Sequence, residues 1–204
     1  MPVMILDPEM ERNIRLARDC SDTNRRDEVW EGVLVVPAVP NNEHQIMVMD
    51  LCYAFSFVIN RSGGDHVMPG ANVSDRDADW KENYRCPDAV VYLATNKAKN
   101  SDTHWVGGPD LAVEIVSRGE DPRQKLDFYA KINTREVLIV DRYPWVVELY
   151  QLQNGKLELA GKSDAANTAV LKCIALPLTF QLQPGTPRPV IRVAHTASGQ
   201  TWTA

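Results

Sequence analysis

The sequence lacks the cysteine patterns that mark redox and zinc-binding proteins. Its four cysteines lie far apart, at positions 20, 52, 86 and 173, and no C-x-x-C pair occurs. This spacing excludes a zinc ribbon and a thioredoxin-type site. Because nothing in the spacing suggests a disulfide framework, we expect a reducing, cytoplasmic environment.

Long apolar runs are also missing. No stretch reaches the roughly 18 continuous apolar residues that a membrane-spanning helix requires. The first ten residues lack the basic start and the apolar run of a signal peptide. The sequence therefore predicts no membrane segment.

Several signatures of enzyme classes do not occur. The chain has no G-x-S-x-G elbow, no P-loop, no G-x-G-x-x-G turn and no H-E-x-x-H helix. An excess of positive charge is missing too, since 22 Lys and Arg stand against 27 Asp and Glu, for a net charge of -5. This balance argues against a large basic surface for nucleic acid, although a locally basic groove is compatible with it.

The hydrophobic pattern predicts one domain of alternating helices and strands. The 204 residues are enough for a single hydrophobic core. Helices are predicted at 8–19, at 43–60 and from Asp121-Pro122 to about residue 133. The helix at 43–60 is apolar nearly all round, so we expect it to be buried on more than one side. Strands are predicted at 29–36 (a pair or a bulge at Gly32), 71–75, 87–94, 109–117, 136–141, 145–152 and 156–161. The class is therefore α/β or α+β, with a mixed sheet flanked by helices and an added C-terminal β-meander.

Two of the predicted central strands each carry an acidic residue among valines. Side chains alternate along a strand, so Asp110 and Glu114 share one face of 109–117, and Asp88 points inward from 87–94. A carboxylate in such apolar surroundings is costly unless it is paired or holds a metal ion.

The following helix adds a cation. Lys125 lies three, four and seven residues before Phe128, Tyr129 and Ile132, which places it on the stripe that faces the sheet. Two inward carboxylates and a lysine suit a hard divalent cation. The alternative is a buried ion pair without metal, but two acids against one lysine would leave negative charge uncompensated.

The chain carries an ordered set of motifs: DEVWEG with Glu28 and Gly32, His44, CPDAVV with Asp88, PDLAVEIVS with Glu114, DPRQKLDFYAKI with Lys125 and Tyr129, EVLIVD, and LPLTF. As a set they resemble the Uma-two-type family of bacterial restriction endonuclease-like proteins, a branch of the PD-(D/E)XK nuclease superfamily. The resemblance covers roughly residues 25–182, which leaves 1–24 as an N-terminal helical extension. Residues 183–204, rich in Pro, Thr and Gly, are expected to form a loose C-terminal tail.

This resemblance implies a restriction-endonuclease-like fold and a metal-dependent endonuclease acting on DNA. It implies that Asp88, Glu114 and the backbone carbonyl of Ile115 hold Mg²⁺ or Mn²⁺, and that a lysine positions the attacking water. Val116 stands where the superfamily places that lysine, so Lys125 is expected to replace it. The same departure favours the alternative of an inactive module that kept the fold for binding or assembly.

Three further residues are candidates for supporting roles. Asp110 either supports a metal ligand from behind or caps the chain where it enters its strand, and the two readings weigh equally. Glu28 could approach the metal, but an exposed glutamate at a hairpin is the expectation. His44, in the first turn of its helix, is expected to make a structural hydrogen bond rather than to act in catalysis.

Contacts to nucleic acid and to a second subunit are open at this stage. Trp80, Trp105 and Trp145 could stack on bases, although packing is the commoner role, and Trp105 is the one to examine. A homodimer is expected because cleavage of both DNA strands needs two sites and the meander offers apolar strands. Hydrolysis of another phosphoester is a third functional reading.

Overall fold

The computed structural model describes residues 2–20 and 26–204, with the side chains of residues 19 and 20 left aside. Its helices are α1 (Pro8–Cys20), α2 (Asn42–Val58) and α3 (Leu126–Lys131), with 3-10 turns at Arg61–Gly63, Trp80–Glu82 and Pro122–Lys125. Within the described ranges, no helix is long and apolar enough to cross a membrane.

The strands are β1 (Val3–Ile5), β2 (Glu28–Trp30), β3 (Val33–Val36), β4 (His66–Pro69), β5 (Val73–Ser74), β6 (Tyr84–Arg85), β7 (Ala89–Tyr92), β8 (Lys99–Asn100), β9 (Trp105–Val106), β10 (Leu111–Ile115), β11 (Glu136–Arg142), β12 (Trp145–Gln153), β13 (Lys156–Asp164), β14 (Leu171–Lys172), β15 (Leu178–Gln183), β16 (Val190–His195) and β17 (Thr201–Thr203). In the part of the chain that is described, they form three sheets.

The central sheet has the order β13-β12-β11-β10-β7-β4. Strands β10 and β11 are parallel, and the other neighbours are antiparallel. The parallel pair is joined through α3, as a parallel connection requires a crossover. Every residue of β7 and β10 is buried because both faces of the sheet are covered. The predicted mixed sheet flanked by helices is therefore confirmed.

The two faces of β10 belong to separate parts of the core. Leu111, Val113 and Ile115 pack in the cluster that contains α2, whereas Ala112 and Val116 pack in the cluster that contains α3. This division is the alternation that the sequence predicted.

Helix α2 is buried on one side only, which corrects the expectation from its all-round apolar sequence. Met47, Leu51 and Phe55 are fully buried against the sheets. The opposite face exposes its large apolar side chains, at 56–62% of their surface: Ile46, Met49, Tyr53 and Phe57. The reason is tertiary: in the structure the helix packs only along its Met47–Leu51–Phe55 side.

The N-terminal sheet runs β1-β3-β2-β6-β5-β9-β8 and brings β2 beside β6. Strands β2 and β3 form the predicted pair. Its tight turn uses Glu31 and Gly32 at φ of 48° and 84°, a left-handed conformation that glycine adopts without steric cost. The predicted hairpin at Asn154-Gly155 likewise joins β12 to β13.

Residues 183–204 do not form a loose tail, which corrects that expectation. They complete β15 and contribute β16 and β17 to an ordered sheet, β14-β15-β16-β17. Ile191 and Val193 are fully buried in the same core as Phe55, whose ring meets that of Phe180 edge to face at 6.2 Å. The prolines and glycines of this segment lie mainly in its turns, while its alternating apolar residues supply core contacts.

We expect Ile191→Ala to lower the free energy of unfolding by about 2–5 kcal/mol, because it leaves a cavity in the core. The matched control is Ile174→Ala, at a side chain that is 55% exposed, whereas Ile191 is 0% exposed. Urea unfolding followed by circular dichroism measures both. Equal stability of the two variants would show that β16 does not belong to the core.

Candidate active site

Two strands of the central sheet bring the predicted acids together. Asp88 directly precedes β7, which runs antiparallel to β10 with Ala89 opposite Val113. Asp88 therefore lies beside the carboxyl end of β10, where its Oδ2 accepts a hydrogen bond from the backbone N–H of Ile115 at 2.8 Å. Glu114 lies on the neighbouring position. Asp88 and Glu114 expose only 8% and 5% of their surface.

Asp88 is held by two cationic or polar side chains. Nη1 of Arg26 is 3.0 Å from its Oδ1, and Nε2 of His44 is 3.2 Å from its Oδ2. Burial alone would raise the pKa of Asp88, but the hydrogen bond and charge of His44, the Ile115 N–H and the charge of Lys125 outweigh it and lower that pKa. Asp88 is therefore a carboxylate at neutral pH. His44 makes the expected hydrogen bond, and its partner is Asp88, the candidate metal ligand.

Glu114 has the opposite electrostatic balance. Burial raises the pKa of Glu114 to about 7; the charge of Lys125 opposes this, and the charges of Glu28 and Asp88 add to it. Nζ of Lys125 lies 3.0 Å from both oxygens of Glu114, and the hydroxyl of Tyr129 donates to Oε1 at 2.5 Å. Burial would lower the pKa of Lys125, but Glu114 and Glu28 raise it above its usual value. Lys125 is therefore a permanent cation.

Glu28 is buried, with 4% of its surface exposed, so the expectation of an exposed hairpin glutamate is wrong. Its Oε1 accepts from Nζ of Lys125 at 2.8 Å and from the backbone N–H of Cys86 at 2.9 Å. Its Oε2 accepts from Nε1 of Trp30 at 2.7 Å. Strand β2 lies between β3 and β6, and the side chain of Glu28 points inward to the charged cluster.

Asp110 does not join this site, so its reading as a supporting ligand is wrong. It lies at the opposite end of β10, about 13 Å along the strand from Glu114 at roughly 3.3 Å per residue. There it accepts hydrogen bonds from the backbone N–H of Leu93, the amide of Asn96 and the guanidinium of Arg135. These contacts correspond to the alternative prediction, in which Asp110 caps the chain where it enters its strand.

Two site residues were missed at the sequence level. Arg26 lies in no predicted helix or strand, so no periodicity in the sequence indicates where its side chain points. Trp30 follows Glu28 by two residues in β2 and therefore shares its face, a signal that the alternation contains. Trp105, the tryptophan considered for base stacking, is instead stacked on Tyr92 at 3.9 Å between ring centroids.

The charged residues line two adjoining cavities. The smaller, of about 50 Å³, is bordered by Arg26, His44 and Asp88. The larger, of about 360 Å³, is bordered by Trp30 and Pro122 among others. Both cavities share the following residues: Glu28, Pro37, Glu114, Glu120 and Lys125.

The donor set is compatible with a hard divalent cation. Across residues 2–20 and 26–204, no group of three or more His, Cys, Asp and Glu side chains is arranged to hold a metal. Mg²⁺ commonly needs only one or two carboxylates, since water and substrate phosphate complete its octahedron. Asp88 and Glu114 supply two, and the cavity of about 50 Å³ has room for an ion with water. His44 also has a buried Nδ1 without a hydrogen-bond partner beside this cavity.

The raised pKa of Glu114 predicts a pH-dependent contribution to stability in the metal-free protein. A carboxyl group whose folded pKa is about 7 favours the folded state most below its usual pKa near 4.5, and this contribution is lost as pH rises through 7. Glu114→Gln removes the titrating group. In EDTA, we expect the stability of this variant relative to wild type to increase from pH 4.5 to pH 7.5. Urea unfolding at each pH measures this, with the exposed Glu158→Gln as the control for net charge. A relative stability independent of pH would contradict the prediction.

Comparisons with known proteins identify the family and the fold. The family model described as "Uma2: Putative restriction endonuclease" matches residues 11–184. A search of curated proteins gave no match. Among solved structures, a nuclease of Anabaena variabilis ATCC 29413, described as "putative" and assigned to DUF820, aligns with a TM-score of 0.56 and 15% identity over 72% of this chain and 80% of that chain. At this identity the likeness shows the fold. The family match covers most of the chain, and the protein therefore belongs to the Uma2 family of restriction endonuclease-like proteins.

Proposed function

We propose that this protein is a divalent-metal-dependent endonuclease that hydrolyses phosphodiester bonds of DNA. The observation that carries the proposal is the convergence of Asp88, Glu114, Glu28 and Lys125 on one pair of adjoining cavities. Membership of a restriction endonuclease-like family supports DNA as the substrate. A cluster of acids of this kind repels a phosphodiester unless a cation accompanies the substrate.

Asp88, Glu114 and the backbone carbonyl of Ile115 would hold Mg²⁺ or Mn²⁺. When bound, the metal would supply Lewis-acid polarisation of the phosphodiester and a lowered pKa for the attacking water. The hydrogen bond from the Ile115 N–H to Asp88 orients that carboxylate. His44 and Arg26 restrain it from the other side, and both are positioning residues in this proposal.

Lys125 would supply electrostatic catalysis. The carboxylates of Glu28 and Glu114 keep its ammonium group protonated, so it serves as a donor and not as a base. Its N–H groups contact Glu28 and Glu114 in this structure, and its charge would stabilise the negative charge that develops on the phosphoryl oxygens. Tyr129 stays protonated because burial and the charges of Glu114 and Glu28 raise its pKa, and it fixes Glu114 by donating a hydrogen bond.

The loss of the usual lysine at Val116 supports the alternative of a non-catalytic module. Val116 is buried in the cluster on the α3 side and borders the larger cavity without bringing a charge to it. Lys125 reaches the same carboxylate from the turn before α3, at 3.0 Å. This contact is the reason that we favour an active enzyme.

We expect Asp88→Ala and Glu114→Ala to lower the rate of plasmid nicking with Mg²⁺ or Mn²⁺ by at least about 100-fold, because each removes a metal ligand. Asp110→Asn is the matched control: a buried acid of the same segment that lies outside the cavities. It should retain cleavage. Circular dichroism verifies that each variant is folded.

Cleavage that persists in both Asp88→Ala and Glu114→Ala would refute the assignment of the site. Absence of cleavage by every protein on several DNA substrates would favour the binding module, and calorimetry with Mg²⁺ would then give no binding that Asp88→Ala removes. Turnover of small phosphodiesters without cleavage of DNA would favour the third reading, a different phosphoesterase.

We also propose that the protein forms a homodimer, through α2. The apolar residues of β11 and β12 are already buried in the central sheet, so the meander is not the surface that needs covering. Among the residues that the structure describes, none covers the exposed face of α2 with Ile46, Met49 and Tyr53. The ring of Phe57 extends this face to the ring of Trp202, at 5.5 Å between centroids. A helix face that packs on its own copy satisfies twofold symmetry.

We expect wild type to sediment as a dimer and Met49→Glu as a monomer, because the glutamate would place a charge in an apolar interface. Leu159→Glu, at an exposed position of β13 in the meander, is the matched control and should remain dimeric. Sedimentation velocity measures the three proteins. A monomeric wild type, or dissociation by Leu159→Glu alone, would contradict the proposed interface.

A further inference from the structure

The larger cavity has a buried floor and an exposed rim. Glu28, Val35, Glu114 and Val116 form buried parts of its wall, whereas Gly119, Asp121 and Gln124 at its margin are exposed. Its volume of about 360 Å³ is in the range of pockets that hold small organic ligands. The smaller cavity, bordered by Asp88, adjoins it through the shared carboxylates. A ligand in the larger cavity would therefore lie next to the proposed site of hydrolysis.

The wall of the larger cavity is suited to a flat, uncharged ring. Apolar and aromatic side chains supply much of its surface: Trp30, Val35, Pro37, Val116 and Pro122. The indole of Trp30 is fixed by its hydrogen bond to Glu28 and by the guanidinium of Arg85, 4.8 Å from the ring centroid. A rigid aromatic side chain of this kind contacts a base without loss of its own freedom.

The charges of the cavity exclude a phosphate as its occupant. Glu28, Glu114, Glu120 and Asp121 border it against one cation, Lys125, so an anion would be repelled. Carboxylates instead accept hydrogen bonds from the amino groups of bases. The carboxamide of Gln124 at the rim can both donate and accept.

The depth of the acidic groups restricts how DNA can reach them. Glu28, Asp88 and Glu114 are each more than nine-tenths buried. A base inside a stacked duplex is held away from such a cavity, whereas an extruded or single-stranded nucleotide can enter. Enzymes that extrude a base must overcome its pairing and stacking, and this barrier is lowest at mismatches and in single strands.

We propose that the larger cavity receives one nucleobase, taken out of the stack beside the scissile phosphate, so that the enzyme prefers single-stranded, mismatched or frayed DNA to paired duplex. This inference rests on the proposed nuclease function and adds the substrate class. Trp30 is the contact for the base, and Gln124 contacts its edge. Lys125 and the acids remain below, at the phosphodiester.

The first test compares three substrates of one sequence: a single strand, a fully paired duplex, and a duplex with a central unpaired bubble. With Mg²⁺ or Mn²⁺, we expect wild type to cut the single strand and the bubble at least about tenfold faster than the paired duplex, since only the duplex must be opened. Trp30→Leu should slow cleavage of the single strand on the order of tenfold. Trp80→Leu, which lies outside the cavity, is the matched control and should cut like wild type.

A second measurement needs only the wild-type protein and so does not depend on the folding of a variant. Deoxyadenosine 5′-monophosphate and 2-deoxyribose 5-phosphate, which lacks the base, are compared as inhibitors of cleavage. We expect the nucleotide to inhibit at a concentration at least about tenfold lower, because the base supplies the contact with Trp30.

The outcomes separate the two proposals. Paired duplex cut as fast as the single strand, or equal inhibition by the nucleotide and the sugar phosphate, would overturn the base-binding cavity and leave the nuclease in place. Cleavage of the single strand by Trp30→Leu at the wild-type rate would show that Trp30 does not contact the base and would also overturn it. No cleavage of any substrate by wild type would remove the nuclease, and the inference with it.

Discussion

The ion pairs of Lys125 are the interaction on which the rest of the site depends. Its ammonium group contacts Glu28 of β2 at 2.8 Å and Glu114 of β10 at 3.0 Å, and so it connects the N-terminal sheet, the central sheet and the turn before α3. The two carboxylates are buried, and the side chain of Lys125 is only 15% exposed. A lysine in such a place would normally lose its proton, and only the two carboxylates hold it charged. Removing Lys125 would leave two acids without their shared cation in the interior.

The surrounding residues follow from the need to satisfy these charges. Tyr129 and Trp30 each donate one hydrogen bond to a carboxylate of the cluster, and the backbone N–H groups of Cys86 and Ile115 donate to Glu28 and Asp88. Such a network costs stability compared with an apolar core, and its retention is typical of a functional site. Two cavities lie beside the cluster. The proposed hydrolysis takes place at the smaller cavity, and the proposed base site is the larger one.

The sequence predicted the acids and the lysine because their positions obey local rules. Alternation along a strand turned Asp88 and Glu114 inward, and helical spacing turned Lys125 toward the sheet. The same rules do not give the distance between two residues in the folded chain, and the predictions that depended on such distances failed. Asp110 shares the face of Glu114 but lies at the other end of β10. Glu28 looked like a hairpin glutamate because its burial comes from Cys86 and Lys125, which are 58 and 97 residues away in the chain.

By itself, the sequence determined the class of fold, the order of the central elements, the tight turns and the residues that carry charge into the core. These features depend on side-chain period and on backbone conformation, which are properties of short segments. Only the tertiary structure decided which face of α2 is covered, that residues 190–203 form strands of the core, and that Arg26 and Glu28 join the site. Each of these is a contact between segments far apart in the chain, and burial by a distant partner leaves no periodic signal in the sequence.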